Sequence, residues 1–177
     1  MPETAQQYTE RILSYIAGKD PMKLQEETPK KLAALLRGRD RGRLAQRPAP
    51  GRWSVAEIVA HLADAEIVLA WRWRQVLSTN GVTIQGYDQG VWADALGYAK
   101  RDPKESLASF TTLRAINLKL LKSAPRESWE HYGIHSERGP ESMTHMVKMA
   151  AGHDLNHIMQ IETILKNEGR SSSMEGL

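Results

Sequence analysis

The sequence contains no cysteine among its 177 residues and only one phenylalanine. The lack of cysteine excludes disulfides, thiolate-bound metals, iron–sulfur clusters and a cysteine nucleophile. No apolar stretch approaches the roughly 18 residues needed to span a bilayer. Residues 1–20 also lack the basic and apolar regions of a signal peptide. We therefore expect a soluble, cytoplasmic protein, although many exported proteins also lack cysteine.

A chain of this length suits one domain whose core is large enough to fold without covalent cross-links. Apolar residues recur at helical steps of three and four along most of the sequence, and strand-like alternation is nearly absent. These patterns predict a single all-α domain over residues 1–168. The serine-rich end, residues 169–177, is predicted to be a disordered tail.

The formal charge is +3, and the basic excess is concentrated in residues 30–52, where Asp40 is the only acidic residue. A basic run can bind phosphates, so a nucleic-acid partner has to be considered. However, no aromatic residue lies within the run to stack on bases, and no glycine-rich phosphate loop follows a strand. The pattern favours a solvated helix face and a mobile connection.

The clearest helix start is at Ser54 and Glu57, which form a capping box. Thr28 is a second predicted N-cap, with Pro29 in the first helical position. Together with the apolar spacing, these signals predict helices over about residues 5–17, 28–36, 55–77, 103–124 and 142–166. Residues 81–101 are predicted to form a long loop, with or without one helical turn, and residues 129–141 a loop or small hairpin. Long helices joined in this way pack as a bundle.

The last predicted helix carries His153 and His157 at the middle of its apolar face. Burying an imidazole without a partner costs about 1–3 kcal/mol, so two adjacent ones require an explanation. Their four-residue spacing places both rings on consecutive turns, where they can share one metal ion. The alternative is that each is a core histidine hydrogen-bonded to a carbonyl or carboxylate; of the neighbouring polar residues, only Gln160 projects clearly towards the same face.

His61 lies at the flank of the apolar face of the helix over residues 55–77, from where it can point towards a neighbouring helix. A metal held by three histidines keeps coordination positions open, which is typical of catalytic sites. Glu57 and Asp64, one turn either side of His61, are candidate acceptors for a ligand N–H or candidate bases. They are equally well explained as surface carboxylates. The loop histidines and His145 are weaker candidates.

Two segments together resemble the DinB/YfiT-like superfamily of proposed metalloenzymes. They are RPAPGRWSVAEIVAHLADAE from Arg47 to Glu66 and GHDLNHIMQIE from Gly152 to Glu162. The resemblance implies that His61, His153 and His157 bind one divalent metal ion, nickel or zinc. It also implies an up-down-down-up four-helix bundle with long connecting loops, often dimeric. The expected fold is thus an all-α, four-helix bundle, and the protein is expected to form a homodimer.

The resemblance implies an activity only in outline, because related proteins include thiol S-transferases, a thiol-dependent isomerase and metal-dependent hydrolases. We expect a metal-dependent enzyme that activates a water or a low-molecular-weight thiol to act on a small-molecule substrate. A cation with three neutral ligands keeps its charge and lowers the pKa of the group at its open position. The alternatives are a metal-binding or sensing bundle without turnover and, less favoured, a nucleic-acid-associated stress protein.

Overall fold

The computed structural model describes residues 3–174, with side-chain surroundings up to residue 167. This range forms seven α-helices, three short strands and two 3-10 helices, Tyr98–Lys100 and Arg126–Glu130. The α-helices are α1 (Ala5–Ser14), α2 (Pro21–Leu36), α3 (Arg41–Ala45), α4 (Val55–Ser78), α5 (Gln89–Ala95), α6 (Pro103–Ser123) and α7 (Met143–Met174). Every helix in residues 3–174 is too short or too polar to traverse a lipid bilayer.

Four long helices, α2, α4, α6 and α7, form a bundle. Helices α4 and α2 each pack against both α6 and α7, so the connections from α2 to α4 and from α6 to α7 run between diagonal positions. Helix α1 packs outside this bundle, against α7. The predicted all-α four-helix bundle with long connecting loops is confirmed.

The starts of α4 and α6 are the ones that the sequence predicts. The Ser54 hydroxyl accepts a hydrogen bond from the Glu57 backbone N–H, and the Glu57 carboxylate accepts one from the Ser54 N–H. At α6, the Asp102 carboxylate caps the first turn and Pro103 occupies the first helical position. Each cap satisfies backbone donors that the first turn of a helix leaves free.

The predicted start of the second helix is wrong. Helix α2 begins a full two turns earlier, where the Asp20 carboxylate caps the N–H groups of Met22 and Lys23. Thr28 and Pro29 therefore lie inside α2 rather than at its start. We expected Pro29 at a helix start because proline lacks the N–H that an interior position normally uses. A side chain from another helix compensates for this loss, as described below.

The basic run is partly helical, because Lys30 and Lys31 lie on the exposed face of α2 and Arg41–Ala45 form α3. Asp40 caps the short helix α3, and Leu44 of that helix is buried in the core. Arg41 lies 3.5 Å from the Asp102 carboxylate, and Arg47 pairs with Glu57. Much of the positive charge in this segment is thus engaged by the protein itself.

The last helix is longer than predicted, because α7 continues to Met174. Residues 169–174 of the predicted disordered tail are therefore helical, and residues 175–177 lie outside the described residues. Gly169 was expected to end this helix, but an interior glycine costs only about 1 kcal/mol relative to alanine.

The two predicted loops contribute a small sheet. Strand β1 (Val82–Ile84) pairs in parallel with β2 (Tyr132–His135), which forms an antiparallel hairpin with β3 (Gly139–Ser142). Gly133 allows the sheet to approach α4, because a Cβ there would lie 2.6 Å from Ile84 Cγ1 and 2.9 Å from Val76 Cγ2. The hairpin is confirmed, whereas β1 is only three residues long and too short to show strand-like alternation.

The core contains two large apolar clusters with a polar layer between them along each bundle helix, and a small third cluster of Ala60, Ala93 and Tyr98. One cluster includes Leu32, Ile58, Leu62, Phe110, Ile161 and Leu165. The other includes Trp73, Val76, Leu121, Met143, Met146 and Val147. Buried polar residues occupy the intervening positions, namely Gln25, Thr28, His61, Glu66, Arg114, Asn117, Asp154 and His157. The candidate site lies in this layer.

Candidate metal centre

Three histidines from two bundle helices converge on one point. Nε2 of His61 on α4 lies 3.0 Å from Nε2 of His153 on α7, and Nε2 of His157 lies 3.1 Å from the same atom. His61 and His157 are buried, and His153 is partly exposed. Trp53 packs against the His61 ring, with centroids 5.0 Å apart. The sequence-predicted triad is thus brought together by the fold.

The arrangement of the three nitrogens fits a shared cation. A neutral imidazole nitrogen carries either one proton or one lone pair, so His153 Nε2 can form an N–H···N bond with only one of its two neighbours. A cation accepting a lone pair from each ring would satisfy all three nitrogens. Three imidazoles are also a ligand set that suits zinc and nickel.

Burial keeps the three rings in the neutral form that metal binding requires. Desolvation lowers the pKa of His153 to about 4 and the pKa of His157 to about 3. The pKa of His61 also falls well below its usual value, mainly through burial and secondly through repulsion by the other two rings. At neutral pH, protons therefore do not compete for the converging lone pairs.

Gln160 holds one of the ligand candidates in place. Nδ1 of His157 lies 2.8 Å from Oε1 of Gln160, one turn further along α7. An imidazole that binds a cation through Nε2 carries its proton on Nδ1, which then donates to this oxygen. Nδ1 of His61, by contrast, is buried with no hydrogen-bond partner among the described residues.

Glu57 is committed to other contacts. Its carboxylate accepts hydrogen bonds from Arg47 and from the Ser54 N–H, and Arg47 helps to lower the pKa of Glu57 against the opposing effect of burial. Glu57 is buried rather than a surface carboxylate. The capping box turns the carboxylate towards the helix start, and its role as an acceptor for a ligand N–H stays a prediction.

Asp64 is likewise occupied elsewhere. Its Oδ1 accepts a hydrogen bond of 2.8 Å from Arg101, and burial together with the Asp64 carboxylate raises the pKa of Tyr98. Asp64 lines a separate cavity beside Arg101 and Asp102. It is buried rather than a surface carboxylate, and its role as an acceptor for a ligand N–H stays a prediction.

The other histidines do not join the triad in the described part of the chain. Nδ1 of His131 lies 2.9 Å from the Val76 carbonyl, and His135 accepts a hydrogen bond from the Glu137 N–H. His145 lies 3.9 Å from the Glu141 carboxylate.

Two cavities flank the histidines. A cavity of about 470 Å³ has His153 in its wall, and a wider groove of about 760 Å³ has His157 in its wall. Tyr8 of α1 lines both, so α1 lies between them. A small molecule can therefore approach the triad from two sides.

Next to the triad lies an ionic network that sequence reasoning missed. Arg114 of α6 is 1% exposed and binds Asp154 of α7 at 2.6 and 3.0 Å. The same guanidinium binds Glu66 of α4 at 2.8 Å, and Thr28 of α2 donates to Asp154 at 3.0 Å. One signal was available, because Arg114 lies four residues after Phe110 and therefore on the same helix face. This network links all four bundle helices beside the histidines.

Three converging histidines contributed by two helices of a four-helix bundle define a candidate metalloprotein of helical-bundle type. The model of the DinB superfamily matches residues 25–161. The chain belongs to the DinB superfamily.

Several known proteins are similar to this chain. A Bacillus cereus (strain 03BB102) protein named "Putative metal-dependent hydrolase" is 26% identical over 141 residues, which are 80% of this chain and 81% of that protein. A protein of Bacillus thuringiensis subsp. konkukian (strain 97-27) described in the same words shows the same identity and coverage.

Solved structures support the same fold. YfiT from Bacillus subtilis, described as "a probable metal-dependent hydrolase with an unusual four-helix bundle topology", superposes with a TM-score of 0.78 at 21% identity. That match covers 94% of this chain and 90% of YfiT. A mycothiol-dependent maleylpyruvate isomerase superposes with a TM-score of 0.65 at 11% identity, covering 80% of this chain and 59% of the isomerase.

Proposed function

We propose that this chain is a metal-dependent enzyme in which His61, His153 and His157 hold one nickel or zinc ion. The convergence of three Nε2 atoms within a buried layer carries the proposal. Buried imidazoles with strongly lowered pKa values are costly to keep in a core unless they bind a partner. Relatives named as metal-dependent hydrolases support the same class.

The proposed reaction is attack by an activated water or low-molecular-weight thiol on a small-molecule substrate. When bound, the metal supplies a positive charge that lowers the pKa of a water or thiol at an open coordination position. The chain contributes three neutral ligands, two of which line cavities that a small molecule can enter. Its lack of cysteine means that any thiol nucleophile is external. The mycothiol-dependent neighbour, which shares the fold, suggests a thiol, and the relatives named as hydrolases suggest water.

Glu57 and Asp64 are the candidates for a general base. Glu57 is held by Arg47 and Asp64 by Arg101, so either carboxylate would have to exchange an ionic partner for a substrate proton. We expect Glu57→Gln to lower stability through the weakened cap, with metal content unchanged. A loss of activity far larger than the loss of folded protein would assign Glu57 as the base.

A second candidate is a bundle that binds or senses a metal without turnover. It is favoured by the hydrogen-bond pattern, in which no carboxylate of the described residues contacts the three rings. A nucleic-acid role is disfavoured, because Arg41 and Arg47 of the basic run already lie next to carboxylates of the protein.

The test of the metal proposal begins with elemental analysis of protein purified without an affinity tag. We expect about one nickel or zinc per chain, and its loss in both His153→Ala and His157→Ala. His145→Ala, at a histidine that is a weaker ligand candidate, is the matched control and is expected to retain the metal. Undiminished metal in both ligand variants overturns the proposal. Metal-dependent conjugation of a thiol distinguishes a transferase from a hydrolase, and stoichiometric metal without either activity supports the sensing bundle.

We also propose that the chain forms a homodimer in the cytoplasm. Helix α4 buries the side chain of Trp73 but leaves Trp71 65% exposed. Ile67, one turn away on the same helix, is 53% exposed. Light scattering of Trp71→Glu against the parent protein tests this assembly, and a parent protein that is monomeric at micromolar concentration overturns it.

A further inference from the structure

The cavity beside His153 is lined by an arginine, Arg72, most of whose N–H groups have no acceptor among the described residues. Arg72 of α4 lines this cavity of about 470 Å³, together with Tyr87 and Met149. A guanidinium has five N–H donors. The described structure gives Arg72 one hydrogen bond, 2.6 Å from Nη2 to the Gln85 carbonyl, and a ring contact with Tyr87 at 5.8 Å.

Arg72 has no carboxylate at ion-pair distance within the described residues. Burial, and repulsion by Arg138, lower the pKa of Arg72, which indicates a cation without full compensation by nearby anions. Partly buried arginines are normally paired, because desolvating an unpaired charge is costly. Arg72 is therefore unusual among the cationic groups of this cavity.

The other charged groups around the cavity have identifiable contacts. Arg138 binds Glu141 through two hydrogen bonds of 2.6 and 3.0 Å. Glu3 pairs with Arg11 at 2.7 Å. These four charges neutralise one another in two pairs and leave the charge of Arg72 available.

Two further carboxylates complete the lining. Asp88 caps α5 by accepting hydrogen bonds from the N–H groups of Gly90 and Val91. Glu137 lies against Gly86 and raises the pKa of Arg72 only weakly, as one of the smallest contributions. Glu137 is thus near Arg72 without binding it, and it competes with any anion that enters.

We propose that Arg72 binds a carboxylate of the substrate that reacts beside His153. The inference rests on the proposed function, because it supplies the substrate class for the same site. The planar fork of a guanidinium matches a carboxylate through two parallel hydrogen bonds. A phosphate dianion suits the cavity less well, since the carboxylate of Glu137 would repel its second charge. The apolar wall, which includes Leu69, Met146 and Met149, accommodates a short carbon chain.

The experiment compares two thiols that differ only in the carboxylate. Protein loaded with cobalt is titrated with 3-mercaptopropionate and with its methyl ester, and binding is measured by calorimetry and by the thiolate-to-cobalt absorption band. We expect the parent protein to bind the acid about 10- to 100-fold more tightly than the ester, as charge-assisted hydrogen bonds allow. Arg72→Gln should remove this difference by weakening the acid alone.

Three further variants separate recognition from folding. Arg39→Gln is the matched control, because Arg39 also donates to a backbone carbonyl, that of Leu35, but does not line the cavity. Arg72→Lys should retain part of the preference, since it keeps the charge but loses the fork. Glu137→Gln should tighten binding of the acid by removing the competing carboxylate.

The outcomes distinguish the inference from the function on which it rests. A cobalt–thiolate band with the ester supports the proposed function whatever the fate of Arg72, and no band with either thiol counts against that function. The inference is overturned if the parent protein and Arg72→Gln bind the acid equally well. It is also overturned if neither protein binds the acid detectably. Stronger competition by inorganic phosphate than by acetate assigns the subsite to phosphate and overturns the choice of a carboxylate.

Discussion

Arg114 on α6 donates a hydrogen bond of 3.1 Å to the backbone carbonyl of Gln25 on α2. In a regular helix this carbonyl would accept from the N–H of residue 29, but residue 29 is a proline and has no N–H. The guanidinium therefore replaces the missing helical hydrogen bond while it also binds Asp154 and Glu66. A proline inside α2 is tolerated because a buried cation from another helix satisfies the freed oxygen.

The first prediction concerns the removal of this cation. Arg114→Met leaves Glu66 and Asp154 buried without their shared partner, and breaking a buried ion pair costs about 3–5 kcal/mol. We expect that loss in the free energy of unfolding, measured by urea denaturation. Lys119→Met, on the exposed side of the same helix, should change stability by less than about 0.5 kcal/mol. Partial recovery in the variant that also carries Glu66→Gln and Asp154→Asn would attribute the cost to unpaired carboxylates.

The histidine pair could be predicted from sequence, whereas the network beside it could not. His153 and His157 are polar residues at the centre of an apolar face, and periodicity alone exposes that conflict. Arg114 shares a helix face with Phe110, but a single charged residue in an amphipathic helix is normally solvated, so its burial depends on partners from other helices. The start of α2 was missed for a similar reason, since the compensation for Pro29 comes from α6. Local sequence signals therefore predicted the capping box at Ser54 correctly. They failed where the start of a helix or the burial of a charge depends on residues that are distant in sequence.

The second prediction concerns the orientation of a proposed ligand. Gln160→Leu removes the acceptor for Nδ1 of His157, and loss of such an outer partner lowers metal affinity by about 10- to 100-fold. Gln160→Glu keeps an acceptor at the same place and should preserve the affinity. Competition with a chromogenic chelator measures both constants. Equal affinities of the leucine variant and the parent protein would show that Gln160 does not orient the ring.

The third prediction follows from the lowered pKa of His157, about 3 in the folded chain against about 6.5 in the unfolded chain. Between these values the unfolded chain binds a proton that the folded chain does not, so acidification favours unfolding. Stability is unaffected by this group above pH 6.5 and falls as the pH drops towards 3. For metal-free protein we expect His157 alone to cost about 2 kcal/mol between pH 7 and pH 5.

Urea denaturation at the two pH values measures this loss. His157→Gln cannot be protonated, so its free energy of unfolding should decline less steeply than that of the parent protein. His145→Gln, a partly exposed histidine of the same helix, is the control and should keep the parent slope. If His157→Gln and the parent protein lose stability equally between pH 7 and pH 5, the ring is not buried in its neutral form.

The last prediction concerns the contact between α1 and α7 next to the proposed ligand His153. A Cβ on Gly152 would overlap the Ile12 carbonyl and lie 2.6 Å from Ile12 Cγ2. Replacing a glycine inside a helix by alanine ordinarily stabilises a protein by about 0.5–1 kcal/mol. We expect the opposite sign for Gly152→Ala, a loss of about 1–3 kcal/mol from overpacking, because the overlap includes backbone that cannot rotate away.

Helix α1 should also become less protected in Gly152→Ala, since relief of the overlap requires it to move away from α7. Hydrogen exchange of the backbone amides over Ala5–Ser14 measures this change, which the stability alone would not reveal. Gly90→Ala in α5 is the matched control, because its added Cβ would meet only the Asp88 carboxylate, at 3.2 Å, and a side chain can adjust. A Gly152→Ala variant that is stabilised and shows unchanged exchange in α1 would contradict this prediction. It would mean that the side chains of α1, rather than the close backbone approach at Gly152, hold α1 against α7 beside His153.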